Sequence, residues 1–266
     1  MYFHSSGRAL RPEQTMRTAW RMRTTCPDCI GFCRTCGHEH RLSAAPALDA
    51  ARALLAELKH HSSIGLGQSP DPRLDLNYLY GPARGQMFGV VVARDAHGRE
   101  CVCKAFSGQY NGLWMVPGWV PPIVDPAAFA QTICHDEPRI KALTRALDAM
   151  AADDPSRPAL VRQRRELSQN LMQRIFDLYA LTNFHGQTKP MRDVCAGQTI
   201  PTGTGECCAP KLLHYAATHG LTPMGLVEFY VGRENRSGSR QHGQFSAPCA
   251  EKCGPILGFL LCGLQA

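Results

Sequence analysis

TGTGECCAPKLLHYAATHGL (residues 202–221) runs into TPMGLVEFYV (222–231) and, past a polar loop, reaches CAEKCGPILGFLL (249–261). A Gly/Thr turn, a helix-like segment from Glu206 to Thr218, a strand-like Leu226 to Val231, a polar loop from Gly232 to Gln244 and a last helix from Cys249 onward give the order α, β, α. Toward the N-terminus, Met87 to Ala93 is an apolar, β-branched run, RDAHGR (94–99) supplies turn chemistry, and Glu100 to Phe106 alternates again, which predicts a β-hairpin. Between the hairpin and the α, β, α unit lie two helical stripes. Ile140, Leu143, Leu147 and Met150 form one; Leu160, Leu167, Leu171, Ile175 and Leu178 form the other. The expected architecture is α/β, a three-layer sheet flanked by helices over 46–266, with a helical insertion at about 125–195.

Residues 1–45 read as a separate, basic, Cys-rich arm, and Pro46 then opens a short helix carrying Leu48, Leu54, Leu55 and Leu58. The arm contains CPDCIGFCRTC (26–36), with His38 and His40 just beyond. Two CxxC pairs can present thiolates to one tetrahedral ion, so Cys26, Cys29, Cys33 and Cys36 are expected to hold a structural zinc as a small knuckle, with a His able to replace one Cys. The same letters contain CxxxCxxC, the spacing of radical-SAM clusters, but the long run of β/α units those enzymes need is missing from the pattern. Thirteen cysteines, odd in number and clustered, suit metal binding better than a disulfide framework.

The formal charge of +7 comes from an Arg-rich chain, with seven Arg against three acids in the first 45 residues. Arg162, Arg164, Arg165 and Arg174 are placed on the solvent side of the second helix, either as an ordinary charged face or as a track for a nucleic-acid backbone. The apolar stretches 225–231 and 254–264 are far shorter than the roughly 20 residues that cross a bilayer. The N-terminal residues lack an apolar signal core, and the expected location is the cytoplasm.

A second constellation joins Glu206, Cys207 and Cys208 to Cys249, Glu251 and Cys253. It can place three thiolates and a carboxylate at two neighbouring helix N-termini, where the partial positive charge lowers a thiol pKa and favours metal binding. Three protein ligands leave a fourth position for water, which zinc converts to hydroxide near neutral pH. The order of hairpin, helix opening with Cys and Glu, strand, and helix opening with Pro-Cys and a second Cys resembles the zinc-dependent cytidine-deaminase superfamily, whose pattern is (His or Cys)-x-Glu followed by Pro-Cys-x-x-Cys. The resemblance covers roughly residues 85–266. It implies Cys207, Cys249 and Cys253 as ligands of a catalytic zinc, Glu206 as proton shuttle, and hydrolytic deamination of a nucleobase, nucleotide or nucleic acid. In this chain the Glu precedes Cys207, the second pair is Cys-x-x-x-Cys, and position 209 is Ala. Residues three apart share a helix face, so Glu206 would serve the site from the adjoining turn. Lys104 and Asn111, near the loop that would border the pocket, and His242 in RQHGQF are the candidate substrate contacts.

In wording, GQMFGVVVA (85–93), AFSGQYNG (105–112), PGWVPPI (117–123), RIFDLY (174–179) and the two Cys segments also resemble the N-terminal region of some large RluA-type pseudouridine synthases. That resemblance implies association with RNA rather than DNA. The synthase signature is an HRLD-type motif, and this chain has His40-Arg41-Leu42-Ser43, with Ser at the Asp position. Pseudouridine synthesis is therefore not expected. The alternative to a deaminase is a non-catalytic, zinc-stabilised RNA-binding module. Glu228, alone on an apolar strand, is either an edge residue or a functional one.

Overall fold

The computed structural model describes residues 26–67 and 71–264, so the basic stretch up to residue 25 lies outside the described residues. It begins with a hairpin of β1 (Cys29–Cys33) and β2 (His38–Leu42), followed by helix α1 (Leu48–His61). Helix α1 ends at Ser62, which takes the left-handed conformation. The expected hairpin is β3 (Gln86–Arg94) and β4 (Glu100–Phe106), paired from Phe88 opposite Phe106 to Arg94 opposite Glu100.

The intervening region holds α2 (Pro126–Ile133), α3 (Asp136–Ala149), α4 (Arg157–Phe176), a short hairpin of β5 (Ala180–Thr182) and β6 (Thr188–Pro190), and α5 (Met191–Val194). It is helical as the two apolar stripes require, and adds a hairpin too short to leave a period-2 pattern. Next come α6 (Cys208–Thr218), β7 (Thr222–Val231), β8 (Phe245–Ser246) and α7 (Gly254–Leu261). Strand β7 starts earlier than Leu226 because Thr222 and Pro223 continue the pairing past a register shift beside Ala93. Helix α7 starts later than Cys249. Residues 249–253 form a turn in which the Cys253 N–H donates to the Cys249 carbonyl, and Pro255 then sits in the first helical turn, where its missing N–H costs nothing.

The molecule is mixed α/β, with a central antiparallel sheet in the order β4-β3-β7-β8. Strand parity sends its two faces into two cores. Val91, Ala105 and Leu226 face a core shared with α6 and α7, while Phe88, Val90, Val92, Phe106, Val227 and Phe229 face one shared with α1. Trp119 closes the second core and donates its indole N–H to the Ile64 carbonyl at 2.8 Å, which ties the stretch after β4 to the segment after α1. Helix α6 lies directly on β3, because a Cβ on Gly89 would come within 2.6 Å of the Cys208 Cβ.

Two of the four arginines assigned to solvent on α4 do internal work. Arg174 pairs with Asp136 at 2.6 Å, and Arg164 donates to the Thr144 hydroxyl at 3.1 Å, fastening α4 to α3. Arg162 and Arg165 remain exposed. No described helix is long and apolar enough to cross a membrane.

Candidate metal centre

The hairpin expected as part of an appended arm is packed on α7. Burial alternates along β1, with Cys29, Gly31 and Cys33 turned inward and Ile30 and Phe32 outward. Where strand meets helix both surfaces are bare backbone: a Cβ on Gly31 would overlap the Gly258 backbone, and one on Gly258 would overlap Phe32 and Cys33. Any larger residue at either position would push strand and helix apart. From that crossing, two residues along a strand advance about 6.6 Å and four along a helix about 6 Å, each returning to the same face. The first step reaches Cys33 and the second reaches Cys262.

Two more groups arrive by local geometry. After Cys33 the chain turns through Cys36 and Gly37, whose N–H donates to the Cys33 carbonyl at 2.8 Å with φ at +77°. On β2, His40 stands opposite Gly31 and so shares its face. The thiols of Cys33, Cys36 and Cys262 and a ring nitrogen of His40 lie within 4.8 Å of one another. Cys36 Sγ stands 3.1 Å from His40 Nε2. A tetrahedral ion with bonds of about 2.3 Å to sulfur needs sulfurs about 3.8 Å apart, so this donor set can close on a metal with little movement.

The electrostatics agree with that use. Burial, with His38 and His185 adding to it, holds His40 below its ordinary pKa and so in the neutral form that ligates. Burial works to raise the Cys33 thiol, but hydrogen bonds involving Cys36, the Thr35 backbone and Cys262 outweigh it and leave the thiol below its ordinary value. The Cys262 thiol is pushed up to about 12 by burial and by Cys36 and Cys33. An outer layer braces the ligands: the Phe184 N–H donates to the Cys262 carbonyl at 2.9 Å and Lys189 Nζ to the Thr35 hydroxyl at 3.1 Å. Both residues come from the β5–β6 hairpin region.

The expected four-cysteine knuckle is thus divided. Cys33 and Cys36 enter the cluster, whereas Cys29 lies four strand residues from Cys33, about 13 Å at strand rise. Cys29 joins the core under α7, where burial, then Glu228 and Asp28, push its thiol up. Cys26 packs beside the α1 core. His40 is one of the two histidines that the sequence offered as a replacement for a Cys, whereas Cys262 was not among the residues assigned as ligands. Cys262 has no neighbouring Cys to mark it, and only the Gly31–Gly258 crossing brings it to the site.

The second constellation is arranged differently. Cys207 caps α6 and Cys253 caps α7, and their thiols hydrogen-bond each other, which holds Cys207 below the usual thiol range and raises Cys253. Cys249 Sγ accepts from the Lys252 N–H at 3.5 Å. Among the described residues, the sulfurs of Cys207, Cys249 and Cys253 do not form a group within 4.8 Å of one another.

Glu206 is buried beside Tyr179. Its Oε1 accepts from the Val124 N–H at 3.3 Å, and burial raises its pKa against the pull of Lys211. Glu228, 2% exposed, accepts from the Ala209 N–H at 2.8 Å, and burial pushes its pKa up to about 7. It therefore supplies a carboxylate to the first turn of α6 from the adjacent strand. Lys211 is fully buried, donates to the Phe106 carbonyl at 2.9 Å and is held below its ordinary pKa by burial.

The three candidate substrate contacts lie elsewhere. Lys104 sits over the Trp119 ring, on the sheet face opposite α6. Asn111 donates to the Arg73 carbonyl at 3.1 Å, and His242 Nδ1 meets the Tyr80 hydroxyl and the Gly232 N–H. Two surface cavities, of about 370 and 240 Å³, are lined by other residues than Glu206, Glu228 and the Cys207–Cys253 pair. Compared with known proteins, the chain matches no family model, no curated sequence and no solved structure.

Proposed function

We propose that the chain is a non-catalytic, zinc-stabilised RNA-binding module in which Cys33, Cys36, His40 and Cys262 hold one structural zinc. The observation that carries this reading is the use made of the two carboxylates beside Cys207. A proton shuttle must reach solvent or substrate, but Glu206 and Glu228 are both buried and each accepts from a backbone N–H. A four-ligand Cys/His set is the closed type, which stabilises a fold and leaves no position for water. All thirteen cysteines are free, which suits a reducing, cytoplasmic setting in which thiols remain available to metal. RNA is the partner favoured by the net charge of +7, by exposed Arg162 and Arg165, and by the wording shared with the synthase-associated region.

The contact between Cys207 and Cys253 at two neighbouring helix N-termini favours a second reading, a hydrolytic deaminase with a second zinc bound there and at Cys249. Its sheet, hairpin and two helices would then follow the deaminase order. The test that separates the two is ammonia release from cytidine, adenosine and single-stranded RNA, run beside RNA binding by the full chain. The module reading expects salt-dependent RNA binding and no ammonia. Ammonia release that disappears in Glu206→Gln or Glu228→Gln would overturn it.

A further inference from the structure

The loop Gly232–Gln244 carries Arg233, Arg236 and Arg240 against one acid, Glu234, and it is ordered by its own side chains. Asn235 Nδ2 donates to the hydroxyls of Ser237 and Ser239 at 3.0 and 2.9 Å, and the Arg240 N–H donates to Asn235 Oδ1 at 3.1 Å. Arg84 holds the loop base by donating to the Glu234 carbonyl at 2.7 Å. Ser239 and Arg240 are thereby set at one side of the 240 Å³ cavity, whose remaining lining is Tyr230, Gln244 and Ser246.

Two groups in that lining lack the partners their chemistry calls for. Arg240 presents up to five N–H donors, yet the side-chain bond it makes is to the Met87 thioether at 2.7 Å, and sulfur is a weak acceptor. Among the described residues, no carboxylate lies within ion-pair distance of it, although Glu228 feels its charge. The Ser246 hydroxyl is buried with no hydrogen-bond partner. Half-buried donors left unpaired are costly, and an anion with several acceptor oxygens satisfies a guanidinium and a hydroxyl together.

We propose that this cavity binds a phosphate group, with Arg240 and Ser246 as its donors and with Arg233 and Arg236, exposed on the same loop, adding to the loop's positive charge. The inference rests on the RNA-binding reading only for the source of the phosphate, which there is the backbone of a single strand crossing the loop. Two probes separate the sources: inorganic phosphate by calorimetry and a fluorescent twelve-nucleotide uridine RNA by anisotropy, each with the full chain at several salt concentrations.

Arg240→Gln is expected to weaken both at least about tenfold and to lower the salt slope for RNA by about one, with Arg240→Lys restoring part of the loss and Ser246→Ala giving a smaller one. RNA binding that Arg240→Gln and Ser246→Ala both leave unchanged overturns the pocket while sparing the RNA-binding reading. Phosphate binding that depends on Arg240 without any RNA binding keeps the pocket and removes that reading. Failure to bind either probe overturns the proposal.

Discussion

The two groups of cysteines in this chain use the same side chain in opposite ways. At the β1–β2 turn, Cys33, Cys36 and His40 are brought by a hairpin against Cys262 at the end of α7, and four donors converge. At the start of α6 and α7, Cys207 and Cys253 are drawn together as helix caps, but their thiols satisfy each other and Cys249 bonds to its own turn. Convergence depends on elements crossing closely enough, which the glycine contact between β1 and α7 permits at the first site. At the second, two buried carboxylates each accept from a backbone N–H, Glu228 from one in the first turn of α6 and Glu206 from that of Val124 in a loop.

The largest effect expected from breaking this contrast is at Cys262. Metal binding to sites of this kind is part of folding free energy, so Cys262→Ser should abolish stoichiometric zinc and lower stability by several kcal/mol. Metal content by mass spectrometry and urea unfolding, with and without a chelator, check both quantities. Chelation should destabilise the native chain and leave the variant unchanged. Equal response of the two proteins to chelator would mean that Cys262 is not a ligand.

Glu228 sharpens the comparison next. Its pKa is raised to about 7 by burial, above an unfolded value near 4.5, so between those limits the folded chain holds the extra proton. Stability from this group is fully present below about pH 4.5 and falls as pH rises through about 7, by about 3 kcal/mol at most. Unfolding measured at pH 5 and pH 8 should show this loss in the native chain and a smaller loss in Glu228→Gln, whose amide oxygen still accepts from Ala209. Identical losses in both would place the titration elsewhere.

How much of this was legible beforehand follows from the range of each interaction. The β3–β4 hairpin, α1, the two helices of the central stretch and the α6–β7–α7 order are written in local periodicity and punctuation, and they occur in the expected order, with the starts of α6, β7 and α7 shifted by two to five residues. That Cys207 stands at the start of α6 was legible too, but the sequence opened the last helix at Cys249, and it is Cys253 that precedes α7. The division of CPDCIGFCRTC was not: CxxC spacing shows that thiols can meet, but a strand through Cys29 and Cys33 separates them, and that strand shows only in the inward turn of alternate residues. Nor could spacing find Cys262, whose partners stand at the other end of the chain. Glu228 was left open in sequence for a related reason, since its partner, the Ala209 N–H, belongs to a helix that approaches through Gly89.

The smallest expected effect decides between the two readings of the second site. Cys249 is half-buried, and its thiol accepts one long hydrogen bond from Lys252, so replacing sulfur by oxygen at that position should change stability by less than about 1 kcal/mol. If Cys33, Cys36, His40 and Cys262 hold the one metal of the chain, Cys249→Ser retains one zinc per chain, and its unfolding still responds to chelator as the native chain does. If Cys207, Cys249 and Cys253 hold a second ion, the native chain carries two and the variant one. A loss of that kind would mean that the thiols of the two helix caps separate to take a metal between them, and the carboxylates beside them would then have to be read as parts of a reacting site.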